Sequence, residues 1–224
     1  MESVKYSIKG SSYVGVFATA TDNLVFVGSG LTDNNKKLLT EILGCRVVEM
    51  SVSGSDLVGL FARANSNGIV VSSLMMDDEV EVLKHAGLGI NIGVIDSDLN
   101  AIGSNVLCND KIAVVNSDYR PEAMKQIGDT LGVEVIKARI GGFRTVGANN
   151  ILTNKGLVVS NRCTDQEKEK IENWCGFRSE KTTANTGSLY IGLSVVANSK
   201  AVVAGDDTTG YELQRIMDGL TPDQ

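Results

Sequence analysis

Apolar positions in this chain cluster in a fixed order that returns five times. An apolar–Gly pair opens a short strand, an Asn-containing turn follows, and a second, almost wholly apolar strand comes next. A stretch with helical spacing and a third, half-apolar strand complete the unit. The core of the pattern reads TVGANNILTNKGLVVS from Thr145. It recurs as YVGVFATATDNLVFVG from Tyr13, LVGLFARANSNGIVVS from Leu57, AIGSNVLCNDKIAVVN from Ala101 and YIGLSVVANSKAVVAG from Tyr190. The anchoring glycines Gly15, Gly59, Gly103, Gly147 and Gly192 follow one another at 44, 44, 44 and 45 residues. So regular a period predicts a repeat architecture, because a single unit of this size cannot bury its own apolar face.

Spacing predicts helices at Asn34–Leu43, Asp78–Ala86, Pro121–Leu131, Asp165–Cys175 and Tyr211–Leu220. In the last of these, Leu213, Ile216, Met217 and Leu220 form one buried stripe. Thr164 with Glu167, and Thr209 with Glu212, fit capping boxes, and Pro121 suits a first helical turn. Each helix is expected outside its own strands, and the strands that begin at the repeated glycines are expected to converge on an axis.

The segment VKYSIKGSSYVG from Val4 aligns with VEMSVSGSDLVG from Val48, so the N-terminus reads as the last strand of a unit whose beginning is missing. The fifth unit lacks that same strand. Both defects vanish if the chain closes into a ring, with Val4–Ile8 supplying the missing strand beside the C-terminal helix. Closure also removes exposed strand edges. The expected fold is therefore α/β, a closed five-fold pseudo-symmetric propeller with strands around a central axis and helices outside. It forms a single domain over 1–224, with repeats at about 11–54, 55–98, 99–142, 143–187 and 188–224, closed by strand 3–9. A helix in every unit and the lack of a Trp-Asp signature disfavour a WD-type propeller.

Composition adds limits. Hydrophobic residues make up 42% of the 224, with no unbroken apolar run long enough for a membrane span and no signal-peptide order in MESVKYSIKG, so a cytoplasmic location is expected. Cys45, Cys108, Cys163 and Cys175 form no CxxC pair and read as reduced, partly buried thiols. The net charge of −6 is the wrong sign for coating a phosphate backbone and suits a basic protein surface as partner.

Candidate chemistry is sparse. His85 is the single histidine, late in the second helix and outward-facing in the ring, so no Ser-His-Asp or Cys-His set can be assembled around the axis. Asp206 and Asp207 read as capping or partner-contact residues, with no cluster of further metal ligands. Asn23, Asn67, Asn109, Asn154 and Asn198 are assigned to turns. The glycines of Gly87–Gly93 do not make a dinucleotide fingerprint. Arg63, Arg139 and Arg144 read as salt-bridged or solvated cations. No cofactor and no metal are expected.

AIGSNVLCNDKIAVV, TVGANNILTNKGLVV, TANTGS at Thr183–Ser188 and GDDTTGYEL near the C-terminus together resemble the translation initiation factor 6 family of archaea and eukaryotes, over essentially the whole chain. The resemblance implies the pentein fold. It also implies a non-enzymatic factor that binds the intersubunit face of the large ribosomal subunit, against a basic ribosomal protein near the sarcin–ricin loop, and blocks joining of the small subunit. Little direct rRNA contact, no membrane and a monomeric state go with that reading, as does a part in large-subunit maturation. The sequence departs from the family's usual GDTTGPEL by an additional Asp and by Tyr211 in place of proline. It ends four residues after Leu220, as expected of an archaeal-type factor. The same fold hosts guanidino-modifying hydrolases that use a Cys, a His and carboxylates in a central cleft, and this is the alternative reading. For ribosome binding the expected surface is the rim where loops enter the glycine strands: Asp56, Asn100, Ser104 and Arg144, with Asp206, Asp207, Thr208 and Thr209 beside them.

Overall fold

The structure, a computed structural model, describes residues 1–221; residues 222–224, the end of the fifth repeat, lie outside the described residues. It contains five three-stranded sheets, each with an inner, a middle and an outer strand. The inner strands are Ala18–Ala20, Ala62–Ala64, Val106–Cys108, Ile151–Leu152 and Val195–Ala197. They run antiparallel to the middle strands Leu24–Gly28, Gly68–Ser72, Ile112–Asn116, Leu157–Ser160 and Ala201–Gly205. Outer strands run parallel to the middle ones: Arg46–Met50, Asn91–Ile95, Glu134–Ala138 and Ser179–Thr182 within their units. The fifth outer strand is the N-terminal segment Glu2–Tyr6, paired with Ala201–Gly205 from Glu2 opposite Ala201 to Tyr6 opposite Gly205. The N-terminal segment thus supplies the missing strand of the fifth unit, as expected, with the pairing starting two residues before Val4.

The glycine stretches are not strands. Val14–Val16, Val58–Phe61, Ile102–Asn105, Val146–Asn149 and Ile191–Ser194 are single helical turns, and the inner strands begin only after them. A run of four or five apolar residues carries no periodicity that separates a strand from a buried helical turn. The glycines lie where these turns touch. A Cβ on Gly59 would overlap the carbonyl oxygen of Gly15, one on Gly103 that of Gly59, and one on Gly147 that of Gly103. A Cβ on Gly192 would overlap the carbonyl of Gly147, and one on Gly15 that of Gly192. The circuit of contacts returns to its start.

Middle strands are buried along their whole length. Their residues alternate between two apolar clusters, as strands covered on both faces must. Val25 and Val27 face one cluster while Leu24 and Phe26 face the next. Each cluster fills the seam between consecutive sheets. Leu39 and Leu43 of the helix Asp33–Leu43 pack with Val4, Ala201 and Val203 of the fifth sheet as well as with Val25 and Val27. Ile127 and Leu131 of Pro121–Leu131 likewise pack with Val70 and Ile95 of the second sheet. Ile171 and Cys175 meet Ile112 and Val114, and Ile216 and Leu220 meet Ile151 and Val158. The outer helices therefore bridge neighbouring units as well as covering their own, and every unit depends on the one before it.

Helix starts follow the capping signals. Thr32, Thr164 and Thr209 accept from the backbone N–H three residues on. In two units the third helical residue is a glutamate that also binds the turn preceding its own unit's glycine. Glu79 accepts from Ser51 Oγ at 2.6 Å and from the N–H groups of Ser53, Gly54 and Met76 at 2.7, 2.8 and 2.9 Å. Glu212 accepts from Thr183 Oγ1 at 2.7 Å and from the N–H groups of Gly187 and Thr209 at 2.8 Å. Burial pushes both carboxyls up, but these hydrogen bonds outweigh it and hold both below the ordinary glutamate value.

Gly103→Ala should cost more than about 3 kcal/mol, since the methyl meets backbone that cannot give way, and should lower Tm by roughly 6–12 °C. Gly210→Ala, where a Cβ meets nothing within 4 Å, should instead stabilise by about 0.5 kcal/mol. Thermal unfolding of the two variants checks the contrast. A carboxylate whose folded value is depressed contributes stability above its unfolded value of about 4.3 that is lost as pH falls through the folded one. Wild-type protein should therefore lose more stability between about pH 5 and about pH 3 than Glu79→Gln or Glu212→Gln, measured by denaturant titration at each pH.

Candidate partner-binding rim

Strand directions give the body two unlike rims. At one lie the hairpin turns between inner and middle strands. Here the side chains bind one another around the axis. Asn65 Nδ2 donates to the carbonyl of Asn109 at 3.0 Å, Asn109 Nδ2 to that of Thr153 at 3.1 Å, and Asn198 Nδ2 to that of Thr21 at 3.2 Å. The equivalent residues of the turn are thus Thr21, Asn65, Asn109, Thr153 and Asn198, and the set Asn23, Asn67, Asn109, Asn154 and Asn198 mixes three positions of the repeat. Counting from the glycines rather than matching asparagines finds the right register. One residue further on, Asp110 accepts from Ser66 N at 2.8 Å and from Asn154 Nδ2 at 2.7 Å. Asp22 accepts from Asn154 Nδ2 at 2.9 Å and from Ser199 N at 2.8 Å. The Asn side chains and the carboxylates of Asp22 and Asp110 on this rim are thus already occupied.

The other rim carries the ends of the middle and outer strands, the N-termini of the outer helices and the entries to the glycine turns. Tyr13 (38% exposed), Leu74 (46%), Met76 (46%), Tyr190 (47%) and Tyr211 (75%) all lie here. The remaining exposed large apolar side chains among the described residues, Val82 and Val94, lie on the outer wall. Tyr13 OH donates to Ser188 Oγ at 3.3 Å. Tyr190 stands 6.4 Å from Phe143, ring centre to ring centre, and the Arg162 guanidinium covers Phe143 at 5.5 Å. Apolar rings interleaved with charge, left uncovered, are what a protein-binding surface offers.

Most of the residues expected from the sequence fall on this second rim. Asp56 accepts from Lys9 and from Gly30 N at 2.8 Å, and these two hold its carboxyl below the ordinary value. Arg144 is exposed and bonds Asp118 at 2.6 Å. Asn100 accepts from Ser73 Oγ at 3.1 Å. Asp206 and Asp207 are exposed on either side of Ser12 Oγ, each at 2.6 Å, so they clasp the N-terminal segment. Capping of the last helix falls instead to Thr209, whose Oγ1 accepts from Glu212 N at 3.2 Å. Two residues differ from the expectation of a presented contact. Thr208 is wholly buried and donates to Asn185 Oδ1 at 3.0 Å, and Ser104 lies in a glycine turn with 6% exposure. The tyrosines were missed; their position just before a glycine turn or just inside a helix N-terminus was the available signal.

His85 is exposed on the outer helix Asp77–His85, with Nδ1 2.8 Å from the carbonyl of Glu81. All four cysteines are buried and free, and burial pushes the thiols up to about 11 for Cys45 and Cys163 and about 12 for Cys108 and Cys175. Arg139 approaches Ser117 Oγ at 3.3 Å on the surface. Arg63 forms no salt bridge among the described residues; its side chain is partly buried at the axis, with Nη2 2.5 Å from the carbonyl of Gly103. No helix among the described residues is long and apolar enough to cross a membrane.

Similarity to known proteins spans the same elements. The pattern that defines the eIF-6 family matches residues 3–219. Translation initiation factor 6 of Thermoplasma acidophilum is 36% identical over 217 residues, 97% of this chain and 99% of that protein. The factor of the same name from Methanosarcina mazei is 38% identical over 213 residues, 95% of each chain. That from Pyrococcus abyssi is 36% identical over 220 residues, 96% of this chain and 97% of that one. With likeness running from the closing N-terminal strand through the last helix, this chain belongs to the eIF-6 family.

Proposed function

We propose that this member of the eIF-6 family, a translation factor, binds the intersubunit face of the large ribosomal subunit through the rim that carries Tyr13, Tyr190 and Tyr211, and thereby keeps the small subunit from joining. The observation that carries the reading is the contrast between rims, one closed by its own hydrogen bonds and the other holding five uncovered apolar side chains. The partner that fits is a basic ribosomal protein near the sarcin–ricin loop. A net charge of −6 steers a basic protein towards the chain and repels bare rRNA, so direct rRNA contact is minor. Blocking is steric: a rigid body occupies the surface that the small subunit needs, with no bond made or broken, and the four thiols are held neutral by burial. The factor works as a cytoplasmic monomer forming one domain, and binding a free large subunit suits a part in its maturation as well.

Co-sedimentation with purified large subunits, and light scattering of subunit joining, test the reading. Tyr211→Ala and Arg144→Glu should each weaken binding by roughly tenfold or more, as truncation of a central aromatic or Arg contact does. Lys111→Glu, on the hydrogen-bonded rim, should leave binding unchanged. Loss of binding only in Lys111→Glu assigns the contact to the wrong rim, and failure of wild-type protein to co-sediment or to slow joining removes the proposal.

A further inference from the structure

Among the described residues only two buried side-chain polar atoms have no hydrogen-bond partner, Thr19 Oγ1 and Arg63 Nε. The two residues occupy the same position of the repeat, four after Gly15 and Gly59. In the other units that position holds Leu107, Ile151 and Val196, and all five side chains line one cavity on the axis, inside the inner strands. Thr19 is 2% exposed. Arg63 is partly buried, with Nη2 directed to the carbonyls of Gly103 and Gly147 at 2.5 and 3.5 Å and Nε shielded from solvent and left over.

The charge on Arg63 has no counter-ion. Its only ionisable neighbour is the Cys108 thiol, which burial keeps protonated, with Sγ directed to the carbonyl of Ala64 at 3.6 Å. A guanidinium cannot shed its proton as a lysine would, so the charge persists in a poorly polar setting. Two unused donors therefore meet the same space as an uncompensated cation. The space that the centres of water-sized bodies can occupy is about 30 Å³, enough for one or two of them.

We infer that the axial cavity binds one halide ion, chloride in the cell, held by Arg63 Nε and Thr19 Oγ1. A monatomic anion matches the space, accepts from both donors and neutralises the guanidinium, whereas water satisfies the donors and leaves the charge. The site lies within the fold, apart from the exposed rim, and its consequence is stability that depends on chloride.

Two measurements on the full chain test this. In thermal unfolding at constant ionic strength, replacing gluconate by chloride should raise Tm by roughly 3–5 °C for each tenfold rise in chloride above saturation. Arg63→Leu should abolish that dependence; it places there the residue that the third unit has at the same position. Thr19→Val, which copies Val196, should reduce the dependence and serves as the second variant if Arg63→Leu does not fold. Crystals grown in bromide should show an anomalous peak between Nε and Oγ1. Equal Tm in chloride and gluconate, or density at the cavity with no anomalous signal, means that water fills the space, and overturns the inference.

Discussion

Backbone meets backbone at the centre of this molecule with no side chain between. The five glycine turns approach so closely that any Cβ on them falls on the carbonyl oxygen of the preceding turn. That approach sets the distance between inner strands, and through them the spacing of the sheets and the width of every seam. The interior is thus divided into five cores, each shared by two sheets and closed by a helix that reaches back over its neighbour. Such a helix buries its apolar stripe only when the preceding sheet is in place, which couples the units energetically around the whole circuit.

The two rims follow from the same strand directions and serve opposite ends. Where the inner hairpins turn, Asn65, Asn109 and Asn198 satisfy both their own turn and the next unit's carbonyl, while Thr21 and Thr153 serve their own turns. Where the outer helices begin, Glu79 and Glu212 fix the turns from beneath, and the apolar side chains above them stay exposed. The body is thus stiffened from below, with rings and charges uncovered on top.

Much of this was legible in the residues. The glycine period revealed the repeat, and the alignment of Val4–Gly15 with Val48–Gly59 revealed the closing strand to within two residues. Capping boxes placed the helix starts, because Thr164 and Thr209 signal through local geometry alone. The conformation of the glycine stretches was not legible, since their apolar run fits a strand and a buried turn equally. Nor was the backward reach of the helices, which depends on seam geometry that no local pattern encodes. The loops that carry Asp56, Arg144, Asp206 and Asp207 place these charges on the second rim. Tyr13, Tyr190 and Tyr211 were not legible, because an exposed ring and a core ring look alike in a sequence.

The strand that completes the fifth sheet is the first to be synthesised and the last to find its partner. Lys5 Nζ donates to the carbonyl of Thr208 at 2.8 Å across 203 residues. During translation the amino-terminal ribbon must wait, its edge unpaired, until nearly every other residue has emerged. Until that moment the nascent chain offers a sticky edge at each end, and the ribosome that makes it is still holding one of them.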